Sequence, residues 1–235
     1  VNTNQNFIYE LNQIFFDGLK LRKPDFQLNM PQEDFKLGKM LEQINQLLIK
    51  TKPDAIFILG DTDSSLCSII AKRLGITIFH YEAGNRCFEE KVPEETNRRI
   101  VDAISDINFT YSNFSRSNLL NEGKSVQDVI CVGSPMKEIL DYYWKDIENS
   151  SILQELGLIE EEYILVSIHR QETVNNKKNM KLLLENLDLI HSNNNKKIIW
   201  PLHPRTADKI KNFGFVFPKY INLISPQLFQ NYICL

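Results

Sequence analysis

The stretch ITIFHYEAGNRCFEEKVPEETNRRIVD, residues 76–102, contains the unit from which the fold is built. Residues 76–82 are mostly apolar, β-branched or aromatic, which predicts a buried strand. A polar loop follows. Pro93, with Glu94 and Glu95 directly after it, predicts the start of a helix, because proline and acidic side chains both suit the first helical turn. The stretch therefore predicts a strand, a charged loop and a helix in that order.

The same unit recurs along the chain. Further apolar runs lie at residues 55–60, 107–112, 129–134, 163–169, 197–203 and 221–225. Apolar residues spaced three and four apart within 37–48 and 180–190 predict amphipathic helices. Alternating strands and helices predict a doubly wound α/β fold with parallel sheets and right-handed crossovers. Because the unit recurs on both sides of a polar stretch at 145–151, we expect two Rossmann-like domains, 1–147 and 148–235.

Composition excludes several classes of partner. The 235 residues carry 27 Lys and Arg against 30 Asp and Glu, a net charge of −3 without basic clusters, so nucleic acid and acidic membranes are not expected to bind. The sequence has no apolar run of transmembrane length and no signal segment, which predicts a cytoplasmic protein. The cysteines are far apart and form no C-x-x-C pair, so we expect neither a metal site nor a disulfide framework. They are Cys67, Cys87, Cys131 and Cys234.

Acids and histidines follow the predicted strands, where open α/β sheets bind ligands. Asp61 follows the first strand, and an ordinary helix N-cap is the alternative interpretation of it. Glu82 follows an apolar strand and should be partly desolvated, which raises a carboxyl pKa and suits an acid or base. His169 and His203 end later strands, and a structural role is the alternative for both.

If the strand ends converge, Asp61, Glu82, Glu94 and His169 surround one cleft. Several carboxylates and a histidine without metal-ligand spacing suit proton transfer on a polyhydroxylated substrate, and the nearby arginines suit phosphate oxygens. Residue types and spacing name no substrate beyond that.

The ordered motifs GDTDSS, HYEAGNRCF, VPEETNRRIVD, GSP and SIHRQE resemble the non-hydrolysing UDP-N-acetylglucosamine 2-epimerase family. The resemblance implies a GT-B-like fold of two Rossmann-like domains, with a UDP-sugar in the cleft between them. It implies an isomerase without cofactor or metal. The family reaction is anti elimination of UDP to a 2-acetamidoglucal, followed by re-addition with the proton delivered to the opposite face of C2.

The resemblance also assigns individual residues. It places catalytic groups at Asp61, Glu82, Glu94 and His169, and which acid serves which face of C2 is left open. It places substrate contacts at Arg86, Arg170, His203, Gln227 and Tyr232, the last two near uracil.

The motifs EAGNRCF and PLHPRT resemble those of the family branch that acts on modified UDP-sugars for capsule and O-antigen, such as UDP-2-acetamido-2,6-dideoxyhexoses or UDP-diacetamido-uronates. The family also implies a homodimer. Its Gly-Thr-Arg-Pro-Glu loop and Ser-Gly-Gly-Glu-Glu segment are not in this sequence. We therefore expect a chain truncated at both ends, with the first strand missing from domain 1–147 and domain 148–235 incomplete. The alternatives are a GT-B glycosyltransferase and an inactive fragment of an epimerase.

Overall fold

The computed structural model describes residues 1–3, 13–30, 36–89, 91–168, 176–202 and 204–235. The strands are β1 Ala55–Leu59, β2 Thr77–Tyr81, β3 Ile107–Thr110, β4 Val129–Cys131, β5 Tyr163–Leu165, β6 Lys197–Pro201 and β7 Ile221–Ile224. The helices are α1 Gln13–Gly18, α2 Lys36–Thr51, α3 Ser68–Arg73, α4 Pro93–Ile104, α5 Asn113–Asn121, α6 Met136–Glu148, α7 Ile152–Glu155, α8 Lys177–Asn194, α9 Pro204–Asn212 and α10 Phe229–Cys234.

The chain divides into two compact units. The first comprises Val1–Phe7 and Lys23–Leu140, and the second comprises Ile8–Arg22 and Asp141–Leu235. The predicted domain boundary at 147/148 falls at the end of α6 and stays a prediction.

The first unit is built on a parallel sheet with strand order β1-β2-β3-β4. Since the order runs in one direction, right-handed crossovers place the connecting helices on one face of the sheet. Strands β1 and β2 are paired in register up to Leu59 and Tyr81, so the residues that follow these two strands emerge side by side.

Helix α2 packs on this sheet through the stripe that the sequence predicts. Met40, Ile44 and Leu48 are buried and cluster with Ile78 of β2. Their spacing of four residues keeps them on one helical face. The alternate side chains of β1 point the other way, and Phe57 is 63% exposed. The apolar character of β1 on both faces is as predicted, but only one of its faces is buried in the described structure.

The second unit contains a parallel sheet of order β5-β6-β7. Ile198 and Trp200 of β6 are fully buried in a core that includes Met180 of α8 and Ile210 of α9. The Trp200 indole packs edge-on against Phe217, with ring centroids 6.2 Å apart. A large aromatic ring contributes much of the apolar area that such a small core can bury.

Each of the seven predicted strands is present, with shorter bounds, and both sheets are parallel, so the predicted α/β class is confirmed. Among the helices that the model describes, none has the length and apolar character required to cross a membrane.

Candidate active site

The ends of β1 and β2 bring two of the predicted carboxylates together. Gly60 and Asp61 follow β1, and Glu82 follows β2. The Gly60 amide donates to the Tyr81 carbonyl over 3.1 Å, which extends the pairing of the two strands by one residue. The Glu82 carboxylate lies over this junction, with Oε2 3.6 Å from the point that a Cβ at Gly60 would occupy. The two strand ends therefore hold Asp61 and Glu82 as neighbours.

Glu82 occupies a strained backbone conformation. Its φ is +73°, in the left-handed region that residues with a side chain rarely adopt. The turn is held on both sides: the Ala83 amide donates to Phe109 of β3 over 3.0 Å, and Gly84 is also left-handed with a φ of +78°. Strain of this kind, about 1–3 kcal/mol, is found where surrounding structure fixes a functional side chain.

The environment of Glu82 raises its pKa above the ordinary 4.5. Burial is the main cause, the negative charge of Asp61 adds to it, and the positive charges of Arg98 and His80 oppose it. The side-chain Nδ2 of Asn85 donates to Glu82 Oε1 over a long 3.4 Å. A carboxyl shifted in this direction is better suited to exchange a proton near neutral pH than a solvated one.

Asp61 is ion-paired rather than used as a cap. Its Oδ2 accepts from Arg98 Nη2 at 2.6 Å and from Arg98 Nε at 3.0 Å. The N-cap of the following 3₁₀ helix is Thr62, with no side-chain capping bond. The capping interpretation of Asp61 is therefore wrong. Arg98 also donates to Glu95 over 3.1 Å, which joins this carboxylate to the same cation.

Helix α4 presents two successive glutamates differently. The helix begins at Pro93 with acids in its first turn, as predicted. Glu94 is exposed, whereas Glu95 is 1% exposed and bonds the arginines Arg98 and Arg99. Burial alone would raise the pKa of Glu95, but hydrogen bonds from Cys87 and the charge of Arg99 lower it. Glu95 is thus a structural acid, whereas Glu94, in the first turn of the same helix, keeps its carboxylate open to solvent.

Arg86 is enclosed by acids of the protein. Its side chain is 0% exposed; Nη1 donates to Asp102 over 2.7 Å and Nε donates to Glu122 over 2.8 Å, while Nη2 also bonds Glu122. Burial would lower the pKa of the guanidinium, but the two carboxylates raise it on balance. All three nitrogens have protein partners in the described structure, and the predicted substrate contact of Arg86 stays a prediction.

Two of the predicted residues of the second unit can be placed. Gln227 donates its side-chain amide to the Ser225 carbonyl over 2.8 Å just before α10, and Tyr232 lies half-buried on that helix. His169, Arg170 and His203 lie outside the described residues.

Sequence reasoning missed several groups at this site. Arg98 is the partner of Asp61, and His80 and Asp102 form a buried pair beneath the turn at Glu82, with an Nδ1 to Oδ1 distance of 2.8 Å. His80 could have been found, because it follows the buried Ile76 and Ile78 at a period of two, the last of these on the same face of β2. In the part of the chain that the structure describes, no group of three or more His, Cys, Asp or Glu is arranged to hold a metal ion.

Comparisons with known proteins agree with this architecture. The family model for UDP-N-acetylglucosamine 2-epimerase matches residues 1–235. A UDP-N-acetylglucosamine 2-epimerase homolog of Methanococcus maripaludis is 38% identical over 240 residues, covering 96% of this chain and 64% of the relative. A UDP-2,3-diacetamido-2,3-dideoxy-D-glucuronate 2-epimerase of Pseudomonas aeruginosa is 32% identical, covering 91% of this chain and 60% of the relative.

The crystal structure of the Methanocaldococcus jannaschii UDP-GlcNAc 2-epimerase in complex with UDP-GlcNAc and UDP matches with a TM-score of 0.91 and 32% identity. It covers 99% of this chain and 67% of that one. This chain thus spans between 60% and 67% of the length of these three relatives.

Fold and site define an α/β protein of the GT-B-like class, with Rossmann-like sheets and a carboxylate centre at the strand ends. The chain belongs to the UDP-N-acetylglucosamine 2-epimerase family. The predicted fold class and family are thereby confirmed.

Proposed function

We propose that this protein is an isomerase that inverts C2 of a UDP-2-acetamido sugar. The reaction eliminates UDP to give a 2-acetamidoglucal and adds UDP back, with the proton returned to the opposite face. Family membership supports the reaction class. The observation that carries the proposal is the pair of neighbouring carboxylates, one with a raised pKa in a strained turn and one paired with an arginine.

The two carboxylates suit different steps. Glu82, whose pKa is raised, acts as the acid or base that exchanges the C2 proton. Asp61, held against Arg98 by two hydrogen bonds, presents a fixed negative charge. A preorganised charge of this kind stabilises the positive charge that develops at C1 as the bond to UDP breaks.

Proton return on the second face requires at least one further group. Glu94 is our candidate, because its exposed carboxylate lies in the first turn of α4, the helix that also carries Arg98. We keep His169 as a catalytic residue, with Arg170, His203, Gln227 and Tyr232 as substrate contacts. We also propose Arg86 as a substrate contact, and its bonds to Asp102 and Glu122 fix the position of its guanidinium.

UDP-N-acetylglucosamine is the first substrate to test, because the family model and several relatives carry its name. A UDP-2,3-diacetamido-uronate is the second, since one relative at 32% identity carries that activity in its name. With either sugar, we propose a role in precursor supply for capsule or O-antigen, a cytoplasmic location and a homodimer.

The test is a proton NMR assay of UDP-N-acetylglucosamine with the wild-type chain and two variants. Glu82→Gln removes the acid but keeps the shape of the side chain, and turnover should fall by about a hundredfold or more. Glu138→Gln changes an exposed glutamate of α6 in the same unit and should leave turnover unchanged. Wild-type rates in Glu82→Gln would refute the assignment, and transfer of the sugar to an acceptor without a C2 epimer would favour a glycosyltransferase.

A further inference from the structure

The buried His80–Asp102 pair joins the two strand ends that carry Asp61 and Glu82. We infer that His80 and Asp102 are positioning residues that set the spacing of these two carboxylates. The inference rests on the proposed function of Asp61 and Glu82. The evidence for it is the hydrogen bonds of the pair, which join His80 to Gly60 after β1 and Asp102 to Gly84 after β2.

His80 faces a hydrogen-bond acceptor at each of its ring nitrogens. It lies in β2 with 0% exposure, and its Nε2 lies 3.1 Å from the Gly60 carbonyl oxygen, which can only accept. Its Nδ1 lies 2.8 Å from Asp102 Oδ1, and Asp102 is an acceptor because it also pairs with Arg86. With an acceptor at each nitrogen, the geometry favours a ring that donates on both sides.

Asp102 binds the chain on the other side of Glu82. It lies on α4 with 1% exposure, and its Oδ2 accepts from the Gly84 amide over 3.1 Å. The same oxygen accepts from Arg86 Nη1 over 2.7 Å. One carboxylate therefore fixes the residue two positions after Glu82, while its histidine partner is the residue two positions before it.

The pair thus ties together three points of the backbone. His80 bonds the carbonyl of Gly60, the residue directly before Asp61. Glu82 lies between His80 and Gly84, both of which bond Asp102. A shift of the pair would move the two proposed catalytic carboxylates relative to each other. Displacements of about 1 Å can cost a hundredfold in rate.

A purely structural role would not require this chemistry. Taking two charges out of water is expensive, and replacing a buried ion pair by apolar groups of similar volume is often neutral or stabilising. A buried polar pair at this point is therefore better explained by the geometry that it imposes. Its polar atoms are satisfied by Gly60, Gly84 and Arg86, which is the condition under which a buried network rigidifies a site.

The first test needs no turnover and is made on the wild-type chain. Nitrogen-15 NMR of labelled histidine should show protons on both nitrogens of the His80 ring at neutral pH. Asp102→Asn should then shift the side-chain carboxyl resonance of Glu82. A neutral His80 ring in the wild type, or an unchanged Glu82 resonance in the variant, would overturn the inference.

Asp106→Asn is the matched control. Asp106, like Asp102, accepts a backbone amide, in this case that of Ile78 in β2 over 2.9 Å, but it does so away from the strand end that carries Glu82. This variant should leave the Glu82 resonance and the kinetic constants as in the wild type. An equal effect of Asp106→Asn and Asp102→Asn on Glu82 would count against a specific positioning role.

The second test is kinetic and uses UDP-N-acetylglucosamine. Asp102→Asn should lower kcat by about tenfold or more while KM changes by less than about threefold, because binding groups remain and their alignment is lost. Wild-type kcat in this variant would overturn the inference. If the wild-type chain turns over neither this sugar nor a UDP-2,3-diacetamido-uronate, the proposed function fails and the NMR test decides the positioning role on its own. If Asp102→Asn does not fold, the protonation of wild-type His80 decides it.

Discussion

Replacement of Gly84 by alanine should destabilise the first unit by about 2–5 kcal/mol. An added Cβ would lie 2.2 Å from the Ser115 carbonyl oxygen, 2.8 Å from its carbonyl carbon and 3.0 Å from Leu119 Cγ. Two of these atoms are backbone atoms of α5, so relief requires the helix or the turn to move. Overpacking of this kind costs about 1–3 kcal/mol. The left-handed φ of +78° adds about 1–2 kcal/mol for a residue with a side chain.

Gly75→Ala separates the two contributions. Gly75 has a similar φ of +73°, but nothing lies within 4 Å of its Cβ position. Its replacement should therefore cost only the conformational share, about 1–2 kcal/mol. Urea denaturation followed by circular dichroism gives the free energy of unfolding for the wild type and both variants. Equal losses in Gly84→Ala and Gly75→Ala would refute the close approach of the Glu82 turn to α5.

Three further predictions concern titration, thiol reactivity and the core. Because the pKa of Glu82 is raised in the folded protein, the folded state binds this proton more tightly than the unfolded state does, and the free energy of unfolding falls as pH rises above about 4.5. Urea denaturation should therefore show Glu82→Gln gaining stability relative to the wild type over that range. The pKa of Glu95 is lowered, so Glu95→Gln should lose stability at neutral pH, and the difference from wild type should shrink in acid; parallel pH profiles for the two variants would contradict both assignments. Iodoacetamide should label exposed Cys87 in the folded chain and spare Cys67, whose pKa burial raises to about 12, as read by mass spectrometry; early labelling of Cys67 would show that its site is open. Met40→Ala should cost about 2–5 kcal/mol in urea denaturation because Met40 is 1% exposed, and a loss below about 1 kcal/mol would mean that α2 is loosely packed.

The alternation of strands and helices was predictable because it rests on local patterns. Short apolar runs predicted each of the seven strands of the described residues, and stripes at spacings of three and four predicted α2 and α8. The residues at which strands end were less predictable, since each apolar run continues beyond the last residue that pairs with a neighbouring strand. The run at 129–134, for example, forms a strand only at Val129–Cys131 and reaches a left-handed Gly133 two residues later.

The candidate site was predictable where a residue follows a strand. Asp61 and Glu82 were identified in this way. Their partners were not, because side-chain pairing over long sequence separations leaves no local pattern: Arg98 meets Asp61 across 37 positions. Arg86 shows the same difficulty, since its partner Glu122 lies 36 residues later in the sequence.

Deuterium incorporation at C2 tests the central claim most directly. UDP-N-acetylglucosamine is incubated with the chain in D₂O, and proton NMR follows the C2 signal together with free UDP and glycal. The elimination mechanism predicts loss of the C2 proton signal in both epimers with the wild-type chain, and a rate lower by about a hundredfold in Glu82→Gln. A C2 proton retained by the wild-type chain, with both this sugar and a UDP-2,3-diacetamido-uronate, would contradict epimerase activity in this chain.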